Sequence, residues 1–130
     1  MSTIASGAAS AASHLHTRGI LHGDLYGHNL LVDSRGQTLL SDFGAASFFD
    51  PNTSQGQALQ RLETRAFGCL LEDLLERSHA RGQEERLTAL IALQRQCMLE
   101  DPSQRPAFNQ LVEQLEQYDV ATERFGQVVA

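Results

Sequence analysis

The stretch HGDLYGHNLLVDSRGQTLLSDFG, residues 22–44, decides the fold because two short apolar runs flank a turn that contains glycine. The runs are LLV (30–32) and TLLS (38–41), and the DSRGQ segment between them has the length and composition of a β-hairpin connection. Asn29 precedes the first run and Asp42 follows the second. Antiparallel strands pair start to finish, so we expect these two residues at the same end of the hairpin.

The polar residues around this hairpin are of the types that bind a metal ion. Paired strands lie about 4.8 Å apart, so the hairpin returns the carboxylate of Asp42 to the neighbourhood of the Asn29 amide. Carboxylate and amide oxygens suit hard cations such as Mg²⁺, which completes its coordination with water and phosphate oxygens. Asp24 lies five residues before Asn29, within reach of a substrate beside the metal ion. Taken alone, Asn29 or Asp42 also fits a turn former that bonds the local backbone.

The rest of the chain carries apolar residues at helical spacing, so we predict a mainly α fold with one small β-hairpin. Helices are predicted over residues 3–17, 59–77, 84–99 and 106–118. Gly19 stands where a helix C-terminal cap belongs, and the ILHGDLYGHN stretch predicts a short strand followed by a loop. Residues 45–58 mix Pro, Asn, Ser and Gly, which predicts a loop. Pro102 cannot continue a helix, whereas Pro106 suits the first turn of one.

Length, charge and cysteine content limit the kind of function. A chain of 130 residues with 42% apolar and 20% charged residues suits one ordinary globular domain. The net charge of −6 argues against nucleic acid or an anionic membrane as the main partner, because either would favour a basic patch. No apolar run approaches the ~20 residues of a spanning helix, and MSTIASGAASAAS makes a poor signal peptide. Cys69 and Cys97 give no disulfide framework, so we expect buried thiols in a cytoplasmic protein.

Four motifs in order resemble the protein kinase family. HGDLYGHNLLV resembles the catalytic loop H-R-D-L-x-x-x-N, and SDFG matches D-F-G. LHTRGILHGDL resembles the end of the long helix that leads into that loop, and ETRAFGCLLEDLL resembles the D-x-W-S-F-G-x-x-L-x-E-L-L helix. CMLEDPSQRPAFNQLVEQL resembles the late C-x-x-x-D-P-x-x-R-P helix pair. The resemblance covers residues 4–117 and implies a protein-kinase-like C-lobe over residues 1–130, truncated at its N-terminal side.

The resemblance implies a role for each polar residue of the hairpin region. Asp24 would be the catalytic acid that accepts or orients the proton of the substrate hydroxyl. Asn29 and Asp42 would hold Mg²⁺ and, through it, the phosphates of ATP. The implied function is phosphoryl transfer from Mg-ATP to a hydroxyl of a protein substrate. His22 and Phe43 are expected to pack in the same core.

Several residues depart from the kinase pattern. Gly23 replaces the arginine of H-R-D, which normally receives an activation-loop phosphate, so switching by such a phosphate is not expected. Tyr26 stands where serine/threonine kinases carry a lysine, and Glu63 replaces an aspartate with a side chain longer by one methylene. No A-P-E triplet occurs in residues 45–62, so Arg105 is expected to lack the glutamate that pairs with it in kinases.

The kinase features that precede the catalytic loop have no counterpart in this sequence. No G-x-G-x-x-G occurs, and the V-A-I-K lysine and its helix glutamate would fall before residue 4. We therefore expect this chain alone to be inactive and to need an N-lobe. The break between residues 77 and 84 is too short for the usual additional helix, which removes one docking surface for a protein substrate.

Two other functions are compatible with parts of the sequence. The departures at Gly23, Tyr26 and A-P-E favour a non-catalytic kinase-like binding module, a pseudokinase fragment that presents a surface to a partner protein. His14, His16, His22 and His28 lie near Asp24 in the sequence, as in a metallohydrolase, but no recognised zinc spacing occurs. We interpret His14 and His16 as partly exposed helix residues.

Overall fold

The computed structural model describes residues 2–25, 29–32, 38–41, 43–76 and 84–117. Within these ranges the chain forms four α-helices and two two-stranded antiparallel sheets, which confirms the mainly α fold. The elements in chain order are α1 (Ser2–Thr17), β1 (Ile20–Leu21), β2 (Leu30–Val32), β3 (Thr38–Leu40), β4 (Ser47–Phe48), α2 (Ser54–Glu76), α3 (Glu84–Cys97) and α4 (residues 108–117). Within the described ranges no helix is sufficiently long and apolar to span a bilayer.

The predicted hairpin is present and is apolar on both faces. Strand β2 pairs with β3 in antiparallel register, with Leu30 opposite Leu40 and Leu31 opposite Leu39. Leu30 and Leu40 pack against the hydrophobic core, as the period of two in a strand requires. Leu31 and Leu39 lie on the other face and are 57% and 64% exposed. The hairpin therefore keeps one leucine pair in solvent.

Helix α1 packs through a face of small side chains. Ala5, Ala8, Ala9 and Ala12 are fully buried at the spacing of one helix face. A Cβ atom at Gly7 would lie 2.7 Å from the Cβ atom of Thr38, so the helix approaches strand β3 closely. The larger core side chains come from the other helices: Phe67, Leu70, Leu71, Leu90, Leu93, Cys97, Phe108, Leu111 and Leu115.

A second sheet pairs the predicted short strand with a segment that the sequence predicts as a loop. Strand β4 pairs with β1, with Ile20 opposite Phe48, and the backbone N–H of Phe49 donates to the Gly19 carbonyl at 2.9 Å. Gly19 ends α1 in the left-handed region with φ +73°, and its N–H donates to the His16 carbonyl at 3.0 Å. The loop prediction was wrong at these positions because two-residue strands are too short to show a period.

Helix α2 begins at Ser54, five residues before the predicted start at residue 59. The Thr53 hydroxyl accepts the backbone N–H of Gly56 at 2.9 Å, which satisfies a free donor of the first turn. A Cβ atom at Gly56 would lie 1.8 Å from the Asp50 carbonyl oxygen, so the incoming turn folds directly over the helix. Local capping rather than apolar periodicity therefore sets this boundary.

Pro102 and Pro106 shape the segment between α3 and α4. Asp101 caps a 3-10 turn over Pro102–Gln104, where the N–H and hydroxyl of Ser103 donate to its Oδ1 at 3.0 and 2.7 Å. The sequence predicts Pro106 in the first turn of α4, but Pro106 precedes the helix by two residues. The side-chain oxygen of Gln110 accepts the Ala107 N–H at 3.1 Å and caps α4 instead.

The two cysteines differ in accessibility, although both were expected to be buried. Cys97 is buried and Cys69 is partly exposed, and both are free thiols. Burial raises the pKa of the Cys97 thiol to about 12, and the positive charge of Arg105 opposes part of that rise. Cys97 is therefore a neutral and shielded thiol at neutral pH.

We expect one fast and one slow thiol when the folded chain is titrated with Ellman's reagent near pH 8, because Cys69 is partly exposed to solvent whereas Cys97 is buried. Cys69→Ser should remove the fast phase, and Cys97→Ser should leave it unchanged. The slow thiol should react as fast as a free thiol in denaturant. Equal rates for both thiols in the folded chain would contradict the assigned burial.

Candidate active site

Glu63 holds the loop that precedes the hairpin. This residue of α2 is only 6% exposed. Its Oε1 atom accepts the backbone N–H groups of His22 at 2.9 Å and Gly23 at 3.2 Å. Its Oε2 atom lies 2.7 Å from Nε2 of His16 at the end of α1. A buried carboxylate is costly unless it is fully bonded, and these three contacts join α1, α2 and the loop.

The structure corrects the interpretation of His16 as a partly exposed residue. His16 is 6% exposed, and its ring packs edge-on against Phe49 and Phe108 at centroid distances of 5.7 and 5.0 Å. Because a carboxylate can only accept, Nε2 of His16 carries the hydrogen that Glu63 receives. The sequence did contain a signal, since His16 follows Ala12 by four residues and continues the buried face of α1.

Gly23 occupies a position where a side chain does not fit. Its φ is +86°, in the left-handed region that favours glycine. A Cβ atom at this residue would lie 2.2 Å from the Ala45 carbonyl oxygen. The loop and the turn that follows the hairpin therefore touch backbone to backbone. The departure from the kinase arginine at Gly23 is a requirement of this packing.

His22 connects the loop to the end of strand β3. Its side chain is fully buried, and Nε2 lies 2.9 Å from the Ser41 carbonyl oxygen. Nδ1 accepts the backbone N–H of Asp24 at 3.2 Å. A carbonyl only accepts, so Nε2 donates and the imidazole is the neutral tautomer with the hydrogen on Nε2. His22 packs in the core as expected, whereas Phe43 packs edge-on against its ring at a centroid distance of 5.0 Å and remains 49% exposed.

The structure brings Asp24 and Asn29 into direct contact. Nδ2 of Asn29 donates to Oδ2 of Asp24 at 2.9 Å and to its backbone carbonyl at 2.7 Å. Asn29 is 3% exposed, and its backbone carbonyl accepts the N–H and hydroxyl of Ser41 at 2.8 and 3.0 Å. The two bonds from Nδ2 fix the rotation of the amide and turn its Oδ1 atom away from the Asp24 carboxylate.

The third predicted residue, Asp42, lies outside the described residues, as do Tyr26 and His28. Ser41, the residue before Asp42, bonds Asn29 as the hairpin register requires. Among the described residues, no group of three His, Cys, Asp or Glu side chains is placed to hold a metal ion. The described histidines do not form a cluster. His14 is exposed on α1, the buried His16 ring bonds Glu63, and the buried His22 ring bonds the Ser41 carbonyl.

Comparison with known proteins identifies the family of this chain. The family model described as the protein kinase domain matches residues 1–69, a range that includes all three predicted site residues. Since the match covers more than half of the chain, the protein belongs to the protein kinase family. Members of this family use ATP and Mg²⁺ for phosphoryl transfer.

Individual relatives agree with this assignment. A probable serine/threonine-protein kinase of Arabidopsis thaliana is 51% identical over 43 residues, which are 33% of this chain and 8% of that protein. The serine/threonine-protein kinase WNG1 of Toxoplasma gondii is 28% identical over 113 residues, which are 76% of this chain and 18% of that protein. The chain thus spans less than a fifth of either relative.

A solved structure shows that the fold is kinase-like. It is described as a divergent kinase that lacks the glycine-rich loop and regulates membrane ultrastructure of the Toxoplasma parasitophorous vacuole. The TM-score is 0.70 at 18% identity, over 87% of this chain and 39% of that chain. At this identity the likeness concerns the fold alone.

Gly23→Ala should lower the free energy of unfolding by about 2 kcal/mol or more, because a left-handed non-glycine residue costs about 1–2 kcal/mol and the new Cβ meets Ala45. The measurement is urea denaturation followed by circular dichroism. The double variant Gly23→Ala/Ala45→Gly is the control. Since the opposing atom is a backbone oxygen, removing the Ala45 side chain should restore no stability, and a full rescue would contradict the contact.

Glu63→Gln should lower the free energy of unfolding by about 1–3 kcal/mol, the usual cost of an unsatisfied buried polar group. The NH₂ group of the new amide would face the Nε2 hydrogen of His16. That hydrogen would then move to Nδ1, which has no hydrogen-bond partner among the described residues. Glu72→Gln, an exposed change on the same helix, is the matched control and should have little effect. Equal stability of the two variants in urea would contradict the three-contact arrangement.

Proposed function

We propose that this chain is the catalytic C-lobe of a protein kinase over residues 1–130, which together with an N-lobe transfers a phosphoryl group from Mg-ATP to a protein hydroxyl. The observation that carries the proposal is the pair of bonds from the Asn29 amide to Asp24. These bonds hold the Asp24 carboxylate beside the Asn29 amide nitrogen, and the amide oxygen of Asn29 points away from that carboxylate. The family membership and the kinase-like fold support the same conclusion.

Asp24 is proposed as the group that contacts the substrate hydroxyl. Its backbone is fixed from both sides, by the N–H bond to His22 and by the carbonyl bond from Asn29. A positioned carboxylate orients the hydroxyl and accepts its proton, which typically accelerates a reaction about 10² to 10⁴-fold. Because folding alone fixes this geometry, the position of Asp24 requires no reorganisation when the substrate arrives.

Asn29 and Asp42 are proposed as the residues that hold Mg-ATP. The amide oxygen of Asn29 is a hard ligand suited to Mg²⁺, and Asp42 of the SDFG motif would supply a carboxylate. When bound, the magnesium ion neutralises charge on the phosphate oxygens. The residues of this chain hold the nucleotide beside Asp24.

The lack of a G-x-G-x-x-G motif in this sequence is compatible with the proposal. The solved structure that this chain resembles is described as a kinase lacking that loop. A cytoplasmic location is also proposed, since both cysteines are free thiols and suit a reducing compartment.

The experiment measures Mg-ATP binding and phosphoryl transfer to casein from labelled ATP, with the chain extended at its N-terminal side by an N-lobe. We expect Mg-ATP to raise the melting temperature of the chain, because a ligand of the folded state stabilises it. Asp24→Asn should retain this shift and lose transfer by about 10² or more. Asn29→Ala should lose both, whereas the control Asn109→Ala, at an exposed asparagine of α4, should lose neither. Wild-type transfer by Asp24→Asn would contradict the role of Asp24.

A kinase-like binding module is the second candidate function. The exposed pair Leu31 and Leu39 on the hairpin favours it, since neighbouring apolar side chains in solvent are typical of interaction surfaces. In that case Mg-ATP would leave the melting temperature unchanged and casein would remain unlabelled.

A further inference from the structure

A large polar cavity lies on the side of the helices where α2, the turn over Pro102–Gln104 and α4 come together. Its volume is about 710 Å³. The residues used below that line it are Arg61, Gln104, Arg105, Gln110, Glu113 and Gln114. The assignments made above leave this cavity without a role, and no residue of the proposed active site lines it.

Two guanidinium groups lie in this cavity and bond each other's backbone. Arg105 is 7% exposed, and its Nε donates to the Leu99 carbonyl at 2.7 Å. Its Nη1 and Nη2 donate to the carbonyls of Arg61 at 3.2 Å and Glu100 at 3.5 Å. Nη1 of Arg61 in turn donates to the Arg105 carbonyl at 2.6 Å. These bonds hold two positive charges close together on neutral acceptors.

Among the described residues, no carboxylate forms an ion pair with either guanidinium. Glu113 lines the same cavity but forms no ion pair with Arg61 or Arg105 among the described residues. The charge of Arg105 nevertheless acts on its surroundings. The pKa of Asp101 is lowered mainly by the hydrogen bonds from Ser103, and the charge of Arg105 adds to that effect. A largely buried cation without a direct ion-pair partner favours the binding of an anion.

Arg61 has donors that remain available in the described structure. A guanidinium carries five N–H donors in a planar fork, and Arg61 uses one of them, from Nη1 to the Arg105 carbonyl, among the described contacts. A carboxylate can accept two parallel bonds from such a fork. Arg61 is half-buried and therefore still reachable from the cavity, whereas Arg105 contributes mainly its charge.

The rest of the lining suits a peptide rather than a small ion. The amide of Gln110 uses its oxygen to cap α4, which leaves its NH₂ group as a donor. Gln104 and Gln114 add further amides at the rim, and amides both donate to and accept from a peptide backbone. A volume of about 710 Å³ is much larger than one carboxylate needs and lies within the ~300–1,000 Å³ of ligand pockets.

We propose that this cavity binds an acidic peptide segment of a partner protein, with a carboxylate of the peptide held by Arg61 and Arg105. The charge of the cavity selects an acidic side chain, and the glutamine amides bind the peptide backbone beside it. The proposal is independent of phosphoryl transfer, because it uses none of the residues around Asp24.

The test is fluorescence anisotropy of the full chain with a labelled hexaglutamate peptide, and hexaglutamine is the neutral control. We expect saturable binding of hexaglutamate only, weakened by salt because the contact is ionic. Arg61→Gln should weaken binding about tenfold or more, as for the loss of a charge-assisted hydrogen bond. Arg65→Gln removes an exposed charge of the same helix outside the cavity and should change binding less than about twofold.

A second pair of variants tests the cavity without removing an internal bond. Gln114→Glu places a carboxylate in the cavity and should block hexaglutamate binding while maintaining or raising the melting temperature. Asn109→Asp adds the same charge at an exposed site of α4 outside the cavity and should bind like the wild type. No hexaglutamate binding by the folded wild type, or equal losses in Gln114→Glu and Asn109→Asp, would overturn the proposal.

Discussion

Glu63 of α2 places a carboxylate inside the fold, and two other segments of the chain bond its two oxygens. One oxygen fixes the backbone of the loop at His22 and Gly23, and the other fixes His16 at the end of α1. Without a bonded partner this charge would oppose folding, because desolvation of a carboxylate costs several kcal/mol. The loop that leads to Asp24 therefore has its position set by helices that form the core.

The candidate site depends on this support through a short series of contacts. The loop backbone held by Glu63 presents the His22 ring to the end of strand β3 and to the N–H of Asp24. Asn29, at the start of strand β2, then fixes the other side of Asp24. The proposed function needs an oriented carboxylate at Asp24, and the buried side chains of His22 and Asn29 contact that residue from two sides. The site is thus an extension of the core and not of a free loop.

The sequence predicted the fold well where one period dominates. The helices and the hairpin follow from apolar spacing, whereas the direct hydrogen bonds from Asn29 to Asp24 were not predicted. The missed features are set by single local contacts that have no period. Strand β4 depends on two residues, and the start of α2 depends on the Thr53 cap. His16 could have been predicted from its place on the alanine face of α1, whereas the carbonyl partners of Arg105 have no sequence signature.

The turn after the hairpin is attached to the loop at two places. The Ala45 carbonyl lies against Gly23, and the N–H of Phe49 donates to the Gly19 carbonyl. The two ends of segment 45–49 therefore contact the two ends of segment 19–23. A segment attached in this way cannot swing out about one end as a hinged flap does. It separates only when both attachments are lost together, which makes the loop and the turn a single cooperative unit of local unfolding. The Asp24 geometry is therefore lost or kept as a whole.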